Sequence, residues 1–156
     1  MNCERTFFAT NVTIQRLPIF RRETTARLLI ETLAHYREQK KFLLHEFVIM
    51  PDHVHALLTP SDNISLERVM QFIKGGFSYR LDKRGHVWQA SFTNHRIRDW
   101  ADYERCREYI RVNPVRARLA ERPEEHPYSS AGGALRVDAV PRGLKPCSFE
   151  CAYRGA

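Results

Sequence analysis

The sequence predicts an α+β fold, a ferredoxin-like βαββαβ sandwich followed by an added helix and an irregular tail. Three patterns lead to this prediction: strand-like apolar runs, segments with helical spacing between them, and a short turn that joins two of the runs directly. Four antiparallel strands with two helices on one face satisfy this order of elements. Because many functions use this fold, it does not by itself indicate an activity.

The first half of the chain contributes one strand, one helix and a hairpin. Phe7–Ile14 is rich in aromatic and β-branched residues and is predicted to be the first strand. From Glu23 to Tyr36 apolar residues recur at helical spacing, which predicts a helix. The apolar runs Phe42–Met50 and His53–Thr59 are separated by two turn residues, so they are predicted to pair as antiparallel strands.

The next segment is predicted to form a second helix and a fourth strand. Ser65 can cap the helix, whose apolar face is marked at steps of three and four by Leu66, Val69, Met70, Ile73 and Phe77. Gly75 and Gly76 weaken the middle of this helix and indicate that another group approaches closely at that turn. Val87–Ile97 is predicted to be the fourth strand, with a bulge.

The end of the sequence is predicted to be a helix and a tail. Asp99 can cap a third helix whose apolar positions are Tyr103, Cys106 and Ile110. Beyond Leu119 the sequence becomes polar and rich in proline, which is typical of an irregular segment. We therefore predict one domain over residues 1–131 and a C-terminal tail over residues 132–156.

The composition favours a nucleic-acid partner and excludes a membrane protein. Lysine and arginine number 25 against 18 aspartates and glutamates, a net charge of +7 that suits a polyanion. Many basic proteins bind no nucleic acid, so the charge alone leaves both readings open. No segment approaches the roughly 20 apolar residues of a membrane helix, and the four cysteines without CxxC spacing are typical of reduced thiols in the cytoplasm.

Two histidines on the predicted third strand are candidate metal ligands. His53 and His55 are two residues apart, and alternate residues of a strand point to the same face of its sheet. Two imidazoles at this spacing can reach one divalent cation. A pair of hydrogen-bonded or solvent-facing histidines is the alternative, and the HxH pattern alone is more often that.

A second candidate group lies on the third helix. Tyr109 and Asn113 are four residues apart, which places them on one helix face provided that the helix continues to Pro114. The Asn113 carboxamide could be a third ligand of Mg²⁺ or Mn²⁺, and the Tyr109 phenol could attack phosphorus. The alternatives are a core aromatic residue and an ordinary helix end.

Together these residues suit one reaction. A cation held by His53, His55 and Asn113 would neutralise a scissile phosphate, while Tyr109 attacks it and releases a 3′-hydroxyl. The resulting phosphotyrosine retains the phosphodiester energy, so a second strand end could be joined without ATP. A non-catalytic ferredoxin-like module that binds hairpin DNA or RNA, and a metal-dependent hydrolase that uses water, are the two rival hypotheses.

Three segments resemble the single-tyrosine HUH transposases, most closely the REP-associated tyrosine transposases of bacteria. They are VIMPDHVHALLTP from Val48, HVWQASFTNHRIRD from His86 and EYIRVNPVRARLAERPEEHPYSS from Glu108, and the similarity extends to about Ala131. The resemblance implies that His53, His55 and Asn113 bind the metal and that Tyr109 is the nucleophile. It also implies a bacterial, cytoplasmic, nucleoid-associated protein that cleaves single-stranded DNA beside an imperfect palindromic hairpin.

Two positions depart from the family pattern. Asp52 stands where the family often has asparagine, and it places a further negative charge beside the proposed ion. Arg118 stands where glycine is common at a helix end, which leaves the path of the tail open. Related transposases include dimers, but the REP-associated branch favours a monomer here, with a dimer as the alternative.

Basic residues around these segments are candidate phosphate ligands, although each alone is more often a solvated surface charge. Eight are predicted to contact DNA: Lys74, Arg80, Lys83, Arg84, Arg96, Arg98, Arg111 and Arg116.

Overall fold

A computed structural model describes residues 5–82 and 86–144 and confirms the α+β sandwich. The strands are β1 (Phe7–Val12), β2 (Phe42–Met50), β3 (His53–Pro60) and β4 (Thr93–Arg96). The helices are α1 (Glu23–Glu38), α2 (Leu66–Arg80) and α3 (Trp100–Arg116). All strand pairs are antiparallel, and the order β2-β3-β1-β4 is that of a ferredoxin-like sheet.

The helices lie on both faces of this sheet. Val54, Ala56 and Leu58 of β3 point into a core formed with α1 and α2. The intervening Leu57 points to the opposite face, where it packs in a second apolar cluster with Tyr103 of α3. The added helix therefore covers the sheet face that the two sandwich helices leave open, and the side chains of His53 and His55 share this face with Leu57.

The predicted fourth strand, Val87–Ile97, is wrong in extent, because only Thr93–Arg96 forms one. Trp88 makes an isolated bridge to Thr13. Its ring is buried in the first core, 5.8 Å from that of Phe20 and 5.6 Å from that of Phe77 between centroids. Insertion of this large side chain under the sheet takes the chain out of regular pairing before β4 begins.

The segment after α3 covers the edge strand β2. The backbone N–H of Ile49 donates to the carbonyl of Tyr128, and that of Ser130 donates to the carbonyl of Phe47. Further along, Asp138 accepts two hydrogen bonds from Arg37, at 2.8 and 3.0 Å. This edge is therefore not available to pair with another strand.

α3 continues through Pro114 and ends at a residue with left-handed geometry. The N–H of Ala117 donates to the carbonyl of Asn113, and Arg118 then takes a φ of 58°. This is the conformation in which glycine is favoured at a helix end. Arg118 therefore keeps the turn that the glycine of related sequences would make, and the chain continues into the segment that lines β2. Among the described residues, no helix combines the length and apolarity that crossing a bilayer requires.

The two glycines of α2 differ in their surroundings. A Cβ atom at Gly76 would lie 2.5 Å from Cε2 and Oη of Tyr36, whereas one at Gly75 would meet nothing within 4 Å. Tyr36 cannot retreat without loss, because it stacks on Phe72 with 5.3 Å between ring centroids. The close approach predicted from the Gly-Gly pair therefore occurs at Gly76, and the approaching group is the Tyr36 ring of the same chain.

We predict opposite effects of the same substitution at these neighbouring positions. Gly76→Ala is expected to lower the free energy of unfolding by about 1–3 kcal/mol because the new methyl group displaces the Tyr36 ring. Gly75→Ala is the matched control and is expected to raise it by about 0.5–1 kcal/mol. Urea denaturation measures both, and equal changes in the two variants would contradict this packing.

Candidate catalytic site

The two histidines of β3 lie side by side on the α3 face of the sheet. Their ring centroids are 4.7 Å apart. His55 pairs with Thr10 of β1 and with Val48 of β2, so it is central in the sheet and only 6% exposed. His53 lies at the start of the strand and is more open to solvent. The pair thus presents one buried ring and one ring that is more accessible to solvent.

Each histidine is held through its Nδ1 atom. Nδ1 of His55 is hydrogen-bonded to Oγ1 of Thr10 at 2.7 Å. Nδ1 of His53 donates to Oδ1 of Asp52 at 2.6 Å. Nε2 is therefore the atom that each ring can offer to an ion, and partners of this type orient metal-binding histidines.

Asp52 is itself oriented and kept ionised. Nη1 of Arg16 lies 3.1 Å from Oδ2 of Asp52, while Oδ1 accepts from His53. Burial opposes the ionisation of Asp52, but the hydrogen bonds from His53 and Arg16 outweigh it and hold the pKa of the carboxyl below its usual value. Arg16 reaches this position from a short turn in which its φ is 52°.

Tyr109 of α3 lies against the ring of His55. Its ring centroid is 5.4 Å from that of His55 and 5.8 Å from that of Phe8, both in edge contacts. Its side chain is nevertheless 43% exposed, so its phenol is accessible from solvent. The other tyrosine of this helix, Tyr103, is buried, and burial raises its pKa to about 12. Of the two tyrosines of α3, Tyr109 is therefore the one that is exposed and in contact with His55.

Asn113 is one helical turn beyond Tyr109. The condition for placing them on one face is met, because α3 runs unbroken to Arg116. Asn113 is partly buried, with its backbone carbonyl used by the helix end at Ala117. The structure therefore brings Tyr109 against His55, which in turn contacts His53, and Asn113 lies four residues after Tyr109 on the same helix.

The eight predicted DNA-binding residues do not all lie on the side of the sheet that carries His53, His55 and Tyr109. Arg111 and Arg116 are on α3 with Tyr109, and Arg98 immediately precedes that helix. Lys74 and Arg80 are on α2, across the sheet. Arg96 of β4 alternates with His95 and therefore points away from the α3 face. Lys83 and Arg84 lie outside the described residues.

Lys74 and Arg80 are also engaged within the chain. Lys74 donates to the carbonyl of Gln89 at 2.9 Å, and burial lowers the pKa of its ammonium group. Arg80 lies over the ring of Tyr36 and donates to the carbonyl of Gly76. These contacts give both side chains a local structural role.

Sequence reasoning missed the residues that hold the site together. Phe8 and Thr10 of β1 share the face of His55, and the alternation of that strand was the available signal. Asp52 was noted as a departure from the family pattern, but its bond to His53 was not foreseen. Arg16 gave no signal, because its contact with Asp52 depends on a turn with unusual backbone angles.

His55 is in the state that a metal ligand requires. Burial, and next the proximity of His53, lower its pKa to about 3, so it is neutral at physiological pH. Two oriented imidazoles, of which His55 is neutral, and a carboxamide beside an ionised Asp52 form a donor set that suits a divalent cation. The residues therefore fit the metal that the sequence indicated.

Comparison with known proteins identifies the family. The IS200-like transposase family matches residues 7–113, and the chain belongs to it. A REP-associated tyrosine transposase of Escherichia coli K12 is 26% identical over 144 residues, which cover 92% of this chain and 82% of that protein. A Haemophilus influenzae protein named as a candidate member of the same group is 28% identical over 107 residues, covering 60% of this chain and 61% of its own.

Solved structures of transposases share this fold. A REP-associated tyrosine transposase bound to a REP hairpin superposes with a TM-score of 0.70 at 23% identity, over 92% of this chain and 90% of that chain. A candidate transposase of Deinococcus radiodurans has a TM-score of 0.52 at 20% identity, over 67% and 87% of the two chains. The protein is thus a transposase enzyme of the single-tyrosine HUH group, and it is similar in sequence and fold to REP-associated tyrosine transposases.

We predict that His55 makes stability depend on pH. Since its folded pKa is below the unfolded value of about 6.5, the unfolded chain binds a proton that the folded chain does not as pH falls from 6.5 toward 3. Wild type should therefore lose stability over this range, by on the order of 1–3 kcal/mol near pH 4 from this residue.

The variant His55→Gln isolates this contribution, because glutamine has no proton to gain. Urea unfolding measures the free energy of unfolding of both proteins at pH 7.5 and at pH 4. The wild-type value minus the variant value should be smaller at pH 4 than at pH 7.5. A difference that stays constant across this range would show that His55 titrates alike in the folded and unfolded states.

Proposed function

We propose that this transposase cleaves and rejoins single-stranded DNA beside a palindromic hairpin through a phosphotyrosine on Tyr109. The observation that carries the proposal is the position of the exposed Tyr109 ring, 5.4 Å from the ring of His55 between centroids. A phenol exposed to solvent yet packed on a metal-type histidine pair has both substrate access and electrostatic support.

His53, His55 and Asn113 would hold the ion, with Mg²⁺ or Mn²⁺ as the expected metal. The two Nε2 atoms and the Asn113 carboxamide oxygen are the donor atoms. When bound, the ion supplies neutralisation of charge on a non-bridging oxygen of the scissile phosphate. Thr10 and Asp52 keep the rings in place, and Asp52 adds a negative charge next to the cation.

Tyr109 carries the covalent step. Its phenolic oxygen, after losing its proton to solvent, forms a bond to phosphorus, and the bond from phosphorus to the 3′ oxygen breaks. The leaving oxygen takes up a proton and becomes a 3′-hydroxyl, while the 5′ end stays attached to the enzyme. A second strand's 3′-hydroxyl can reverse the reaction and restore a phosphodiester without ATP.

The DNA partner is inferred from the chain's charge and from its structural relative. That relative is described as bound to a REP hairpin. Here Arg98, Arg111 and Arg116 lie on or beside α3 and would contact the phosphates that flank Tyr109. Because residues 128–138 cover the β2 edge, a monomer is favoured over a dimer that would extend the sheet.

Replacing Tyr109 with phenylalanine tests the nucleophile. A labelled hairpin with single-stranded flanks and Mn²⁺ should yield a denaturation-resistant adduct with wild type and none with Tyr109→Phe. Cleavage should fall by on the order of 10³-fold or more, as when other nucleophiles are removed. Hairpin affinity should change little, because the ring remains.

Tyr103→Phe is the matched control, since it removes a hydroxyl from the same helix two turns earlier. It should keep adduct formation and cleavage. If Tyr109→Phe still cleaves without an adduct, water is the nucleophile and the chain is a hydrolase. If wild type binds the hairpin but neither cleaves nor forms an adduct, it is a binding module.

Asp52→Asn tests how the metal site is supported. We expect the affinity for Mn²⁺ to fall by about tenfold, because the amide still accepts a hydrogen bond from His53 but no longer carries charge. Titration calorimetry measures the affinity, with the exposed Asp62→Asn as a control of equal charge change. An equal effect in both variants would mean that only net charge matters and that Asp52 does not act through His53.

A further inference from the structure

A second group of metal-ligating side chains lies on the α3 face of the sheet, outside the site of His53 and His55. It consists of His95 on β4 and of Asp102 and Cys106 on α3. One ligand atom of each lies within 4.8 Å of the other two. One of the two elements, α3, also carries Tyr109, and the transposase chemistry proposed above uses none of the three residues.

Asp102 is the centre of this group and is not an ordinary surface carboxylate. It is 5% exposed and occupies the first turn of α3. The backbone N–H of Arg98 donates to its Oδ2 at 3.0 Å, which fixes the orientation of the carboxylate. A carboxylate that is held in place by hydrogen bonds is a usual element of a cation site.

His95 faces both oxygens of this carboxylate. Its Nε2 atom lies 2.9 Å from Oδ1 and 2.8 Å from Oδ2 of Asp102. Because this nitrogen is almost equally distant from both oxygens, a small shift of the ring would admit a cation between the ring and the carboxylate. The His95 side chain is partly exposed, so it has room to make that shift.

Cys106 completes the group from the next turn of the helix. It follows Asp102 by four residues, and therefore presents its sulfur on the same helix face. It is a free thiol, partly buried against the second apolar cluster. Sulfur is the donor that distinguishes this group from the all-nitrogen-and-oxygen set at His53 and His55.

We propose that His95, Asp102 and Cys106 form a second cation site that takes one borderline-soft divalent ion of the Zn²⁺ class. Nitrogen, oxygen and sulfur donors together suit Zn²⁺, and a thiolate disfavours Mg²⁺. Carboxylate and thiolate balance the charge of the ion, and the thiol proton is released to solvent on binding. A water molecule occupies the fourth position of a tetrahedral ion.

The surrounding positive charge does not prevent this. Nη2 of Arg105 lies 3.4 Å from Asp102, but the Arg105 side chain is 70% exposed and can turn toward solvent. The bound ion would join β4 to the first two turns of α3. Because Tyr109 follows Cys106 by three residues, the ion would also secure the helix that presents the nucleophile.

Cobalt titration of the intact protein tests the proposal. Co²⁺ bound by a cysteine thiolate gives a sulfur-to-cobalt charge-transfer band in the near ultraviolet, and ligation by histidine and asparagine does not. Wild type should develop this band up to one equivalent, and Zn²⁺ should remove it. Two cysteine variants separate the sources of sulfur: Cys106→Ser alone, and a triple variant in which Cys3, Cys147 and Cys151 are all replaced by serine.

The proposal expects the triple variant to keep the full band and Cys106→Ser to lose it. His95→Gln, which preserves a hydrogen bond to Asp102, should weaken Co²⁺ binding at least tenfold in the triple background. If the band follows Cys147 and Cys151, or if neither variant binds Co²⁺ through sulfur, the second site does not exist. Should Cys106→Ser fail to fold, Zn²⁺ protection of Cys106 from alkylation in the triple variant decides: no protection overturns the proposal.

Discussion

The packing of α3 across the sheet is the constraint on which the site depends. Tyr103 and Ile110 are buried in a cluster with Val48 and Leu57, which sets the depth of the helix. Midway between them, Arg107 pairs with the buried carboxylate of Glu46 at 3.5 Å. A buried carboxylate is costly unless it is paired, so this contact disfavours any slip of the helix along the sheet.

The same packing of α3 places one polar residue, Tyr109, against His55. Tyr109 follows Arg107 by two residues and contacts both His55 and Phe8. A bulge in β2 between Leu44 and Glu46 helps, because it lets Glu46 meet α3 while Leu44 remains in the other core. The geometry of the proposed site thus rests on apolar packing and one buried ion pair rather than on the proposed catalytic residues themselves.

The alternation of side chains along β3 is a second constraint on the site. Val54, Ala56 and Leu58 are committed to the α1 and α2 core, so the intervening histidines must face α3. A shift of the strand by one residue would bury both imidazoles in the apolar core and expose the aliphatic side chains. The sandwich core therefore selects the face on which the two histidines, the proposed metal ligands, appear.

Much of this was accessible from the sequence because it depends on local periodicity. The helical spacing of α1 and α2, the hairpin of β2 and β3, and the shared face of His53 and His55 all follow from the alternation of apolar residues. The fourth strand was overextended because a buried Trp88 looks, in sequence, like a strand residue. Local pattern does not say which core a large aromatic residue will enter.

What could not be predicted depends on contacts between distant segments. The bonds from Thr10 to His55 and from Arg16 to Asp52 join residues 45 and 36 positions apart. The pairing of residues 128–138 with β2 also had no signal, since that segment lacks a strand-like pattern. Side-chain roles at long range require the fold to be known first.

Paramagnetic broadening by Mn²⁺ tests the central claim, the convergence of the phenol, the imidazoles and the carboxamide on one ion. The six tyrosines can be labelled and observed together by NMR. We predict that substoichiometric Mn²⁺ broadens the Tyr109 ring signals along with those of His53, His55 and the Asn113 side chain, while Tyr36 and Tyr79, across the sheet, stay sharp. Loss of the histidine signals with a sharp Tyr109 would contradict it, because the nucleophile would then be remote from the metal.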